Sequence, residues 1–443
     1  MINMTAQKIV IIGAGSLQFG LGTVGSIFAS EHLTGSTICL HDINEENLEK
    51  ARSITQNAID QKKVDFTLEA TTNRPKALKG ATFIVNSIEV TPRFKWWEMD
   101  MEIPRKHGFR QVYGENGGPG GLFHSLRVIP PILDICNDVD KICPNAYFIN
   151  FSNPMSRVCL AIKRNYPELK VVGLCHEIHF AHMHLPKILG TPWENLDIWA
   201  GGLNHFGAVI KASYKDSGKD AILDIRAKAP EYLEKMKTQN KIRYVVNTSV
   251  SLTSYILYKY GYLPYTTDSH YGEYIGWAHE EANMEGAMNF YNFYKKYISS
   301  EGKKIDRLIK KGKGSVLVKP DAERAIPIIE GILTDSNHDE LSVNVPNEGI
   351  ITNLSSDLVV ECPAMVNKTG VHGVILGEYP KGIASLLRIE GSVQDLVVEA
   401  IIKKSKEIAL QALLADPNVG STKRAEAYLD EMLELQKDVV YLE

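Results

Sequence analysis

Long apolar runs are missing from this chain. No stretch of its 443 residues approaches the roughly 20 needed to span a bilayer, so no membrane partner is expected. Charge of one sign is missing too. Lys and Arg total 49 against 53 Asp and Glu, a formal net charge of −4, and without a basic patch or a DNA-reading helix no nucleic-acid partner is expected. Cysteine is sparse. The six residues Cys39, Cys136, Cys143, Cys159, Cys175 and Cys362 lack framework spacing, so free thiols are expected in place of disulfides. The N-terminus runs into a strand pattern without a signal-peptide core, which together with free thiols predicts a cytoplasmic location. The length exceeds one ordinary core, and the composition is that of a globular enzyme.

What is present begins with Lys8–Ile12, a buried β-branched strand followed at once by Gly13-Ala14-Gly15-Ser16. Strand, glycine turn and helix form the context of a dinucleotide site. The glycines let the backbone approach a pyrophosphate, and the helix amino end supplies donors and a favourable dipole. The third glycine of that fingerprint falls on Gln18, so the match is partial. The next strand ends in His41-Asp42, and Asp42 is spaced to bond a ribose 2′-hydroxyl, favouring NAD over NADP; its other reading is a helix N-cap.

Strand patterns recur at Phe66–Ala70, Ala81–Val85, Ala146–Phe151 and Val171–Leu174, with helical segments between them. The alternation predicts a Rossmann-like, doubly wound parallel sheet over residues 1–196 and a second, mixed α+β domain over 197–443. Polar groups follow the strands: Asn86-Ser87, then Ser152-Asn153-Pro154 (with Ser152 read as a helix cap), then Cys175-His176. The carboxyl rim of such a sheet is where a ligand lies. Between Glu89 and Pro131 the chain carries Arg93, Glu115 and a glycine run, Gly114 to Gly121, which reads as an active-site loop preceding a helix near His124. Farther on, Gly201-Gly202-Leu203-Asn204-His205 places a histidine in an apolar, glycine-rich setting, and Asp268, His270 and Tyr271 crowd one loop. Cys175 and His205 are the pair expected to share one metal ion beside a nicotinamide.

Gly13–Ser16, Gly117–Gly121, Asn150-Phe-Ser-Asn-Pro-Met155, Gly173-Leu-Cys-His-Glu177 and Gly202-Leu-Asn-His205 together resemble glycoside hydrolase family 4, the NAD- and metal-dependent glycosidases. The resemblance implies a fold like that of lactate and malate dehydrogenases, NAD and Mn²⁺ as cofactors, and a homodimer or homotetramer. It implies hydrolysis by oxidation at C3 of the sugar, elimination across C1–C2, water addition and re-reduction, the metal acting as Lewis acid. It assigns Cys175 and His205 to the metal and Gly13, Gly15, Ser16, Asp42 and Asn86 to the cofactor. His176 becomes the general acid, Asp268 or His270 the candidate base (Tyr271 less so), Glu115 a supporting acid, and Asn153 and Arg93 substrate contacts. A histidine directly after the metal cysteine resembles the branch acting on unphosphorylated α-galactosides, α-glucosides or α-hexuronides. The competing reading is an NAD-dependent hydroxyacid or sugar dehydrogenase.

Overall fold

The computed structural model describes residues 6–239 and 249–443. Six parallel strands open the chain: β1 Lys8–Ile12, β2 Thr37–His41, β3 Thr67–Thr71, β4 Phe83–Asn86, β5 Tyr147–Asn150 and β6 Lys170–Gly173. They pair in the order β3-β2-β1-β4-β5-β6, the doubly wound arrangement in which the chain reverses direction beside β1. Their short apolar runs form central strands because both faces are covered. Ile9, Ile11 and Val85 join a core on one face, while Val10, Ile12 and Ile84 join a core on the other.

The sheet does not stop at β6. Strands β7 Leu196–Leu203, β8 Phe206–Tyr214, β9 Leu263–Pro264, β10 His338–Pro346, β11 Val359–Asn367 and β12 Gly370–Gly373 extend it, antiparallel, as β6-β10-β11-β7-β8-β9 with β12 beside β11. Only one residue pair, Asn344 with Gly173, joins β10 to β6. Helices cover both faces, among them Leu17–Ala29, Gly118–Ile142, Met155–Asn165 and Lys381–Lys403. Among the described residues no helix is long and apolar enough to cross a membrane.

Three local expectations are corrected. The Glu89–Pro131 segment is largely helical, with helices at Arg93–Lys106 and Gly118–Ile142, the second starting well before His124. Its glycine run is a tightly packed helix entry: a Cβ on Gly120 would sit 2.4 Å from the Asp100 carbonyl oxygen and 2.6 Å from that of Gly114. Ser152 does not cap the following helix; its hydroxyl donates to the Ile88 carbonyl at 2.7 Å and accepts from Asn86 at 3.2 Å. The cap before Glu45 is Asn44, not Asp42.

Candidate functional site

The β7–β8 hairpin turns through Asn204-His205, and His205 adopts φ +62°, a left-handed conformation uncommon outside glycine. That turn aims the buried imidazole across the sheet. Its Nε2 lies 3.1 Å from Cys175 Sγ, and its Nδ1 is buried without a partner. Cys175 stands just past β6, so two strand ends far apart in sequence bring this pair together. Glu177, His205 and His270 each present a ligand atom within 4.8 Å of the others. The His205 and His270 rings stack at 4.3 Å, and His270 Nε2 is 3.9 Å from the Glu177 carboxylate.

This donor set fits a divalent cation. Metal–ligand bonds of about 2.0–2.3 Å leave neighbouring ligand atoms about 3 Å apart, the separation of sulfur and nitrogen here. Burial and the nearby Glu361 and Glu177 carboxylates push the Cys175 thiol up, so a cation would have to displace its proton, and burial with the neighbouring His270 holds His205 neutral, one ring nitrogen keeping its lone pair. Although burial opposes it, His270, His205 and His176 hold the Glu177 carboxyl down at about 2. Thr266 donates to that carboxylate at 2.5 Å. His270 is in turn seated by Glu273, 3.3 Å from its Nδ1, and Glu273 accepts the Asn116 and Gly117 amides at 2.5 and 2.9 Å. A histidine whose second nitrogen faces a carboxylate is oriented for a ligand or a proton.

The glycine turn after β1 lies along the same rim. Gly13 has φ +87°, and a Cβ on Gly15 would fall 2.6 Å from Asp42 Oδ2, so only glycine fits where the chain bends under β2. The Asp42 carboxylate accepts the Gly15 amide at 2.7 Å and the Asn44 amide at 2.8 Å, which fixes it beside the loop. Ser16 makes no side-chain cap on the helix Leu17–Ala29, leaving that amino end for an anion. Asn86, fully buried at the end of β4, donates to Asn150 at 2.9 Å while its own Oδ1 has no partner. Arg93 donates to Glu115 at 3.1 Å and to the Tyr294 hydroxyl at 3.1 Å, its guanidinium lying over Trp97. Asn153 has a buried Oδ1 without a partner.

Two models of known families divide the chain between them. One described as Family 4 glycosyl hydrolase matches residues 8–191, and one described as Family 4 glycosyl hydrolase C-terminal domain matches residues 200–419. The chain belongs to glycosyl hydrolase family 4. It is 44% identical to an α-glucosidase of Erwinia rhapontici, with 98% of each chain covered. It is 30% identical to an α-galacturonidase of Thermoanaerobacter italicus, covering 93% of this chain and 92% of that one. Among solved structures, a Bacillus subtilis protein described as the putative glucosidase lplD superposes with a TM-score of 0.84 at 25% identity, covering 97% of this chain and all of that one. A malate dehydrogenase of Cryptosporidium parvum shares the fold alone, with a TM-score of 0.50, 16% identity, and 90% and 99% of the two chains covered.

Within this family 4 fold, the residues singled out from sequence part into two groups. His205 meets Cys175 and, together with Glu177, meets His270. His176 stands near Glu177 with its side chain 65% exposed and Nδ1 3.5 Å from Glu323. Glu323 and Glu177 raise His176 to about 8 despite its burial on one side. Asp268 does not converge with them. Its carboxylate is fully buried and accepts the Ser251, Thr253 and Asn283 amides at 2.9, 3.1 and 3.0 Å, so it serves as a hub tying helix starts together. Tyr271 is fully buried as well, its ring packed edge-on against Phe206. Glu177, Glu273, Asn204 and Glu361 were not singled out for the site. Glu361 accepts from Asn204 at 2.7 Å and from Ser342 at 2.6 Å, and burial raises its carboxyl to about 7. The available signal was a carboxylate inside an apolar strand, Val359-Val360-Glu361-Cys362.

Proposed function

We propose that this family 4 enzyme hydrolyses unphosphorylated α-glycosides, α-glucosides foremost, with NAD regenerated in each turnover and one Mn²⁺ at the Cys175–His205 pair. The observation that carries the reading is the 3.1 Å approach of Cys175 Sγ to His205 Nε2, with Glu177 and His270 converging beside them. When bound, the dinucleotide supplies reversible hydride exchange at C3, and the metal supplies Lewis acidity to the sugar oxygens at C2 and C3. Solved family members described as 6-phospho-α-glucosidases hold NAD with Mn²⁺, or NAD with glucose-6-phosphate, which supports the cofactor assignment. The α-glucosidase relative at 44% identity supports the sugar, and the histidine after the metal cysteine supports the unphosphorylated class.

The chain's own groups then have these tasks. Gly13, Gly15 and Ser16 hold the pyrophosphate, Asp42 the ribose, and Asn86 the nicotinamide end. Arg93, clamped by Glu115, and Asn153 orient the sugar. His176, with one face open to solvent, donates the proton to the departing oxygen. Although burial opposes it, Glu273, Glu177 and Glu115 raise His270 to about 9. His270 therefore takes the proton at C2 only in the neutral form that a cation at the Cys175–His205 pair would favour. Asp268, with its oxygens committed to three amides, holds the loop that carries His270. Glu177 stands where it can bond either the metal or His270. Assembly as a homodimer or homotetramer and a cytoplasmic location belong to the same proposal.

The test is release of nitrophenol from nitrophenyl α-glucoside with NAD, Mn²⁺ and a thiol reductant, run in D₂O. Turnover should need both cofactors, deuterium should appear at C2, and NADH should not accumulate. Undiminished turnover after chelation and removal of NAD refutes the proposal, and stoichiometric NADH would identify a dehydrogenase.

A further inference from the structure

His176 is far more exposed than His270, the other side chain given a proton to move: 65% against 11%. An exposed imidazole turns among rotamers, and a proton donor is effective only when it is aimed. Two carboxylates flank this ring. Its Nδ1 lies 3.5 Å from Glu323, and its Nε2 lies 3.9 Å from Glu177. Glu177 belongs to the cluster with His205 and His270. The ring therefore faces Glu323 with one nitrogen and the cluster with the other.

Glu323 arrives from a distant part of the chain, and its neighbours are tied down on separate elements. Two residues before it, Asp321 accepts the Ser26 hydroxyl at 3.0 Å and donates its own amide to that hydroxyl at 3.1 Å. Asp321 also accepts the Glu323 amide at 3.2 Å. Gly25 packs so closely on Lys319 that a Cβ there would strike the Lys319 carbonyl. Lys62 donates to the Val318 carbonyl at 2.7 Å. One residue after Glu323, Arg324 forks onto the buried Glu340 of β10 at 2.9 and 2.8 Å. Helices Leu17–Ala29 and Glu45–Lys62 and strand β10 thus hold the backbone on both sides of Glu323. Most of the entropy cost of ordering this carboxylate is met by folding, before any substrate arrives.

We propose that Glu323 is the positioning residue for proton delivery to the leaving group. It accepts from the Nδ1–H of His176, which turns Nε2–H toward the departing oxygen. In that step the Nε2–H bond breaks and an O–H bond forms as the C1–O bond cleaves, its electron pair passing to oxygen. His176 is left neutral with Nδ1–H still on Glu323, and Glu323 touches no reacting atom. The inference rests on the general-acid role given to His176 above.

The test uses leaving groups that differ in their need for a proton. Nitrophenol departs readily as its anion, whereas methanol departs only when protonated. The holoenzyme, loaded with NAD and Mn²⁺, would be assayed on methyl α-glucoside and on nitrophenyl α-glucoside. General-acid catalysis is worth about 10²–10⁴-fold, so His176→Ala should lower the methyl-to-nitrophenyl ratio of kcat/KM about 100-fold. Glu323→Ala should lower the same ratio about tenfold, and Glu323→Gln, which keeps an acceptor oxygen for Nδ1–H, should recover part of it. A merely structural loss slows both substrates alike and leaves the ratio unmoved. A ratio unchanged in Glu323→Ala but lowered in His176→Ala overturns the role of Glu323 alone, as does a Glu323→Gln ratio no higher than that of Glu323→Ala. A ratio unchanged in His176→Ala removes the acid and this proposal with it. Wild-type protein that cleaves neither glucoside refutes the α-glucosidase reading itself.

Discussion

His205 shows how much chemistry one backbone angle can carry. A left-handed histidine in a two-residue turn costs on the order of 1–3 kcal/mol, and the fold retains it with one ring nitrogen unpartnered. Such strain is explained if the imidazole is held for a ligand. Cys175 is the matching half, and its replacement gives a sharp test. Cys175→Ser should weaken Mn²⁺ binding by more than the 10–100-fold that loss of a supporting partner costs, because a direct ligand is removed. The free-ion Mn²⁺ electron paramagnetic resonance signal during titration reads this without any turnover. NAD affinity, followed by tryptophan fluorescence, should stay within about twofold. An unaltered manganese titration would mean that sulfur is not a ligand. Cys175 and His205 were legible in the sequence because soft and imidazole donors stand out against apolar, glycine-rich surroundings. Glu177 lies in the same motif, but only the fold turns its carboxylate toward His270.

Among the elements, the parallel strands were readable, as was strand material over 198–213 and 359–363, whereas β10 was not, for a physical reason. β1, β4 and β5 are covered on both faces, so they appear as short β-branched runs. In β10, Glu340, Ser342 and Asn344 are buried polar residues alternating with Leu341, Val343 and Val345. The pattern resembles a half-solvated strand, but Ser342 donates to the buried Glu361 at 2.6 Å and Glu340 accepts from Arg324 at 2.8 Å. The loop after Tyr265 misled in the opposite direction. Asp268 looked like a free carboxylate in a crowded loop, but three backbone amides and the Thr253 hydroxyl converge on it. Asp268→Asn replaces one acceptor oxygen with a donor facing an amide. It should cost about 1–3 kcal/mol of stability, seen as a lower denaturation midpoint. Turnover per folded molecule should survive in large part. Collapse of turnover with an unchanged midpoint would return Asp268 to the role of base.

Across the whole molecule, the sheet crosses from its parallel to its antiparallel half through a single pair, Asn344 with Gly173, which alone could not couple the two. Coupling comes from shared packing. One core joins Ile9, Val24 and Val85 to Ile326, Val343 and Val366, and a fully buried ion pair, Arg157 with Glu390 at 3.1 Å, links helix Met155–Asn165 to helix Lys381–Lys403. The expected boundary at 196/197 therefore separates two segments with one common interior, and scanning calorimetry should record one transition that NAD shifts as a unit. Saturation at 100 times Kd adds about 2.7 kcal/mol. The ion pair adds a pH signature. Burial outweighs Arg157 and lifts the Glu390 carboxyl from 4.5 to about 7. A carboxyl raised on folding binds its proton more tightly in the native state. Its stabilising contribution is complete below about pH 4.5 and is lost as pH climbs through about 7. Glu390→Gln, neutral throughout, lacks that dependence. The melting temperature of the wild type minus that of Glu390→Gln should therefore fall between pH 4.5 and 7 and level off above. A difference that stays flat across this window would mean that Glu390 is already ionised in the native protein near pH 5, with Arg157 outweighing burial.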